Sequence, residues 1–254
     1  PVCQRDLLAV ALVFRAWLFE GPARFAVFPL LRGCHCAREV YERGCIAAHY
    51  QNRVGGGEVV RAPADMPLPG ARRTLVRAEK ADGTPVLEAS ASLGPDHGET
   101  LLEARLKQLR PPGRLVILAD LHVGMKGAEA ERVRMDLDQN MGKLYPFSLA
   151  QTLSVIPANS PWYSDAKASP WGRPIVPLEM VSVLAEYSST KARFPVKGPA
   201  VGLFADQEIR MIEGPLFVGE EYVIRREIAA LTESKRTESY WVRSRIYDST
   251  GKKQ

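Results

Sequence analysis

One strong helical segment, residues 177–188, is followed by strand-forming sequence alone, and that order constrains the fold more than any other feature. Pro177 suits the first turn of a helix, where its missing N–H costs nothing. Leu178, Val181, Leu184 and Ala185 then fall on one face, which must be buried. Beyond it, residues 200–211 alternate in part between apolar and polar side chains, 215–221 read as a turn, and 222–231 and 239–247 read as long strands. Strands that follow one apolar-faced helix bury it by wrapping an antiparallel sheet around it, so the expected class is α+β.

The clearest strand signal lies earlier. Residues 74–79 and 85–92 each alternate apolar and polar side chains, and Asp82-Gly83 between them is a hairpin turn signal. A short helix is expected over 99–109, stopped by Pro111-Pro112. Strands over 114–119 and 132–138 follow, then a helix over 147–155 that ends at Pro157. Residues 1–60 read differently, with an apolar helical run at 7–19, a second helix at 37–50 and the flexible break Gly55-Gly56-Gly57. The expected organisation is an unassigned helical segment 1–60, a half 61–129 and a domain 130–254. The hairpin 73–92 is echoed by 239–254, where Asp248-Ser249-Thr250-Gly251 opens a second turn, a hint of duplication. That turn lacks a full return strand and the chain starts on Pro1, so the sequence reads as a fragment whose last strand is truncated.

Charge and composition exclude several classes. Lys and Arg total 34 against 29 Asp and Glu, a net +5 that suits anionic ligands but is too small and dispersed for nucleic acid. With 46% hydrophobic and 25% charged residues, global disorder is excluded. No run reaches the ~18 apolar residues of a spanning helix, so no membrane partner is expected. The run 7–19 is broken by Arg15 and has no clear cleavage site after it, which favours a buried helix over a secretion signal. All four cysteines, at 3, 34, 36 and 45, sit in the first fifth of the chain. That excludes a disulfide framework and favours a reducing, cytoplasmic compartment. Cys34-His35-Cys36 with Cys45 and His49 offer zinc-type ligands, but Cys-x-Cys is not the usual spacing, and no metal is expected. Phosphate-binding glycine loops, a nucleophile elbow and the His-Glu-x-x-His zinc pattern are all absent.

Three stretches carry a family resemblance: Ser160-Pro161-Trp162-Tyr163-Ser164-Asp165, Gly172-Arg173-Pro174-Ile175-Val176-Pro177 and Gly214-Pro215-Leu216-Phe217-Val218-Gly219-Glu220. In order and spacing they resemble the MaoC-like dehydratase and R-specific enoyl-CoA hydratase branch of the hot-dog fold. The first stands where that branch carries Asn-Pro-(Leu/Ile)-His-x-Asp, the second resembles its helix entry, and the third its turn before a strand. The resemblance covers half the chain. It implies a hot-dog fold, an antiparallel sheet wrapped around a central helix, in a double arrangement with a divergent first half. It also implies reversible hydration of an enoyl thioester. Such chemistry needs an acid/base pair acting on one water and a donor for the developing thioester oxyanion.

The motif departs from the family where the chemistry resides. The family's catalytic Asp falls on Ala158, its His on Tyr163, and its Asn on Ser160, with Asn159 beside it. The resemblance leaves Tyr163, Asp165 and Asn159 as catalytic candidates, and Ser160, Trp162, Gly172, Arg173 and Pro174 as substrate-binding candidates. Each has a plainer reading. Asp165 caps a turn, Trp162 and Tyr163 pack the loop onto the sheet, Gly172 serves the backbone turn and Arg173 is solvated. Outside the motif, Asp206 and Glu208 share one face of an expected strand beside Arg210, suited to acid/base work or a metal, with a surface ion pair as the plainer reading. Asp96-His97 and Asp120-Leu121-His122 are alternative sources of an imidazole.

The expected function is an acyl-thioester hydratase or dehydratase, a lyase, with reduced or lost activity. One alternative is a hot-dog acyl-CoA thioesterase using Asp165 or Glu179; another is a non-catalytic acyl-CoA-binding or partner-stabilising protein. The expected partner is acyl-CoA or acyl-carrier protein, bound as substrate, with no separate cofactor. Sheet edges in such folds are protected by pairing, so a homodimer or a pseudo-dimer of two repeats is expected.

Overall fold

The computed structural model describes residues 38, 41–52, 58–61, 73–92, 98–108, 114–117, 131–142, 145–155, 160–187, 205–233 and 238–254. They form nine strands in two antiparallel sheets with short helical segments between them, a mixed, sheet-dominated architecture. Two compact units interleave along the chain. One holds the described residues within Pro1–Gly98, Ala150–Glu179 and Leu203–Phe217; the other holds those within Glu99–Leu149, Met180–Gly202 and Val218–Gln254.

The first unit is built on β1 (Cys45–Tyr50), β2 (Val60–Arg61), β3 (Arg73–Lys80), β4 (Pro85–Ser92) and β7 (Asp206–Arg210), in the order β2-β3-β4-β1-β7. The β3–β4 hairpin forms where the alternation predicts it. Asp82 Oδ1 accepts the Thr84 N–H at 2.9 Å, and Gly83 takes φ +84°, a value that favours glycine. The ladder puts Ile46, Ala78, Leu87, Ala89 and Ala91 on one buried face. The opposite face carries Cys45, His49, Glu88, Ser90, Ser92, Asp206, Glu208 and Arg210.

The expected helix over 37–50 is not what forms. Residues 41–43 are helical, and from Cys45 the chain is a strand between β4 and β7. Helix propensity is a weak prior; here two ladders and the burial of Ile46 outweigh the preference of Ala47-Ala48.

The second unit is built on β5 (Arg114–Ile117), β6 (Glu131–Arg134), β8 (Glu221–Glu233) and β9 (Glu238–Tyr247). The long β8 pairs with β5 and β6 along one side and with β9 along the other. Its buried face presents Val133, Tyr222, Ile224, Ile228 and Ile246. The helix Leu101–Gln108 starts at a reciprocal cap. Glu103 N–H donates to Thr100 Oγ1 at 3.1 Å, and Thr100 N–H donates to Glu103 Oε2 at 2.8 Å. After β9, Asp248 Oδ1 accepts the N–H groups of Thr250 and Lys252, Gly251 takes φ +88°, and Tyr247 bridges to Lys253. The chain therefore begins its return at 252–254.

The helix expected over 177–188 forms as one continuous run over 178–187 whose pitch changes along it, from a 3-10 turn at Leu178–Met180 through residues 181–182 to a π turn at Val183–Tyr187. Leu178, Val181, Leu184 and Ala185 are buried, as the periodicity requires, but so are Met180 and Val183. A segment enclosed on several sides, with β-branched Val181 and Val183, has little to gain from one regular α-helical stripe. The short helix expected over 147–155 forms as Leu149–Ser154. The expected helix at 7–19, the break at 55–57 and the strand start at 200–204 lie outside the described residues. Among the described residues, no helix is long and apolar enough to cross a membrane.

Candidate functional site

The motif loop folds as a packed aromatic corner. Ser160 Oγ accepts the Trp162 N–H at 3.3 Å, and Pro161 occupies the first position of the 3-10 turn Pro161–Tyr163. Tyr163 is buried, its hydroxyl 2.5 Å from the Tyr41 hydroxyl. Trp162 and Trp171 meet at 90° with centroids 5.7 Å apart, and Tyr41 stands edge-on to both at 6.1 and 6.3 Å. Trp171 Nε1–H donates to Glu42 Oε1 at 3.0 Å, and the Arg38 Nε–H donates to the same oxygen at 2.7 Å. Burial pushes the Glu42 carboxyl up, but these two donors and the charges of Arg38 and Arg43 outweigh it and hold the pKa below the usual range.

The other proposed residues sit around this corner. Asp165 is exposed and its Oδ1 accepts the Lys167 N–H at 2.8 Å, the turn-capping role weighed above. Gly172 is exposed at φ +67°, with open space where a Cβ would be. Arg173 is exposed and lies over the Phe217 ring at 4.4 Å. Pro174 is half-buried and leads to Ile175, whose N–H donates to Trp162 O at 3.0 Å. Val176 N–H donates to Leu216 O at 2.8 Å, so the second and third motif stretches are joined. Asn159, Ala158, His97 and His122 lie outside the described residues.

A second constellation lies on the polar face of the first sheet, where β1 and β7 pair. His49 lies opposite Asp206, and its Nδ1 is 2.5 Å from Asp206 Oδ1. The carboxylate is 8% exposed and the imidazole 37%, so the acid sits behind a ring whose rim reaches solvent. A buried carboxylate against Nδ1 fixes the ring's orientation and directs Nε2 away from it. Two residues along, Glu208 pairs with Arg210 and lies 3.8 Å from the Cys45 thiol. Arg210 also donates to the Gly98 carbonyl at 3.3 Å. Burial first, and then the Glu208 charge, push the Cys45 thiol up to about 11, so it stays protonated at neutral pH.

Asp206 and Glu208 thus share one face as the spacing predicts. Glu208 makes the ion pair with Arg210, whereas Asp206 finds a histidine. In the sequence alone His49 stands out only as a zinc-type ligand four residues after Cys45. Its partner is 157 residues away, and only the strand register discloses it. Among the described residues, no group of three or more His, Cys, Asp or Glu side chains is placed to hold a metal ion. Cys34, His35 and Cys36 lie outside the described residues.

No family model matches the chain, and no curated protein matches it. Among solved structures, the chain is similar to full-length peroxisomal multifunctional enzyme type 2 from Drosophila melanogaster. The match has 12% identity and a TM-score of 0.41, and covers 83% of this chain but 35% of that one. The chain therefore spans about a third of that protein's length.

Proposed function

We propose that the chain is a hot-dog-type acyl-thioester hydratase or dehydratase whose acid/base pair is His49 and Asp206 rather than the motif loop. The observation that carries this reading is the 2.5 Å contact between the His49 imidazole and a nearly buried carboxylate. Hydration of an enoyl thioester needs a base to take a proton from water as its oxygen bonds to the β-carbon. The same proton equivalent is then delivered to the α-carbon. An imidazole can do both in turn, and the carboxylate behind it stabilises the imidazolium between the two steps. Tyr163 and Asp165 are engaged in packing and capping and take structural roles in this reading.

The reading is tested with a saturated and a trans-2-enoyl acyl-CoA, followed by mass spectrometry. A 3-hydroxyacyl-CoA, heavier than the enoyl substrate by one water, supports it. Release of free CoA and free acid instead assigns a thioesterase. Recovery of unchanged substrate under saturating binding assigns a non-catalytic acyl-CoA-binding protein.

A further inference from the structure

The solvent-facing side of the second sheet carries an arginine field that the proposed reaction does not use. Register places Arg132 and Arg134 of β6, Arg225 of β8, and Arg243 and Arg245 of β9 on one face, opposite the buried face described above. Arg132 is 74% exposed, and Arg134 and Arg243 are each 50% exposed. The field is pre-shaped. The buried Glu227 holds Arg243 and Arg245 on its Oε1 at 3.0 and 2.8 Å. Arg225 lies over the Tyr247 ring at 5.2 Å. Arg132 meets Glu221 at 2.5 Å, and Arg134 meets Asp136 at 2.9 Å. Among the described residues, these five guanidiniums share the face with Glu221, Glu227 and Asp136, and Trp241 and Tyr247 lie on it too.

We propose that this face docks an acidic, extended polypeptide segment of a partner protein. Guanidiniums bind carboxylates bidentately, and holding them in place beforehand reduces the ordering cost of binding. Alternate residues of an extended segment fall about 7 Å apart on one side, the spacing of Arg243 and Arg245 along β9. A nucleic-acid backbone fits less well, because every phosphate is charged, whereas a mixed acidic segment can place uncharged residues opposite the exposed Glu221 and Asp136. The chain's net charge of +5 is also modest for such a ligand.

The test is fluorescence anisotropy on the full chain with a labelled peptide of alternating Glu and Thr, and with a labelled thymidine oligonucleotide as rival. The peptide is expected to bind at low salt, more tightly than the oligonucleotide, and to weaken as salt rises. Arg132→Glu with Arg225→Glu should weaken it by about tenfold or more. Both side chains are exposed, and circular dichroism together with the milder Arg132→Gln and Arg225→Gln pair separates lost binding from lost folding. No binding by the wild type at low salt overturns the proposal. So does tighter binding of the oligonucleotide, or an affinity unchanged by charge reversal in a folded variant.

Discussion

Replacing Glu227 by Gln removes one buried negative charge and keeps its shape. Glu227 is 6% exposed, and its Oε1 accepts from Arg243 and Arg245. A hydrogen bond to a charged group contributes about 1.5–3 kcal/mol when sheltered. Arg243 is half in water, so its share falls into the surface range of about 0.2–1 kcal/mol. Arg245, 31% exposed, keeps more. The sum predicts a loss of about 2 kcal/mol at pH 7. Burial pushes the Glu227 carboxyl up, but Arg245 and Arg243 outweigh it and hold the folded-state pKa below the usual carboxylate range. A carboxyl lowered on folding stabilises above its unfolded value and loses that contribution as pH falls through its folded value. Urea unfolding of both proteins between pH 7 and about pH 3 should therefore show a gap that closes on acidification. Equal stability at pH 7, or a gap that widens towards acid, would refute the reasoning.

Two further outcomes are expected. A Cβ at Gly214 would lie 2.3 Å from the Tyr41 carbonyl and 2.4 Å from Met211 Cε, so Gly214→Ala should cost about 1–3 kcal/mol of stability, read as a lower urea midpoint; an unchanged midpoint would show that the approach is looser. Cys45, buried and with its pKa raised to about 11, should resist alkylation at neutral pH until the chain is unfolded, as read by mass spectrometry of its peptide. Labelling in the folded protein at the unfolded rate would contradict that placement.

Local signals in the sequence reach as far as neighbouring residues can act on one another. The β3–β4 hairpin is legible because Asp82-Gly83 and the alternation around it are contiguous, and the helix Leu101–Gln108 because Pro111-Pro112 marks its end nearby, whereas its Thr100–Glu103 cap is disclosed by the structure. The apolar set Leu178, Val181, Leu184 and Ala185 is also legible, but the change of pitch from 3-10 to π turns along it is not, since the burial of Met180 and Val183 as well depends on surrounding structure. Strand β1 carries a helical pattern locally for the same reason: the two ladders that make it a strand come from β4 and β7, distant in sequence. The loop holding Tyr163 and Asp165 is contiguous and stands out in the sequence, whereas the His49–Asp206 contact arises from a strand register that no single stretch encodes.

The most direct test of the account is hydration of a trans-2-enoyl-CoA by the wild type and by His49→Asn and Asp206→Asn, each verified as folded. Product is read as 3-hydroxyacyl-CoA by mass spectrometry. The account predicts turnover by the wild type and a fall of about 10²–10⁴-fold in His49→Asn, with a smaller loss in Asp206→Asn. A wild type that forms no hydroxyacyl product, or a His49→Asn variant that turns over as fast as the wild type, would contradict it.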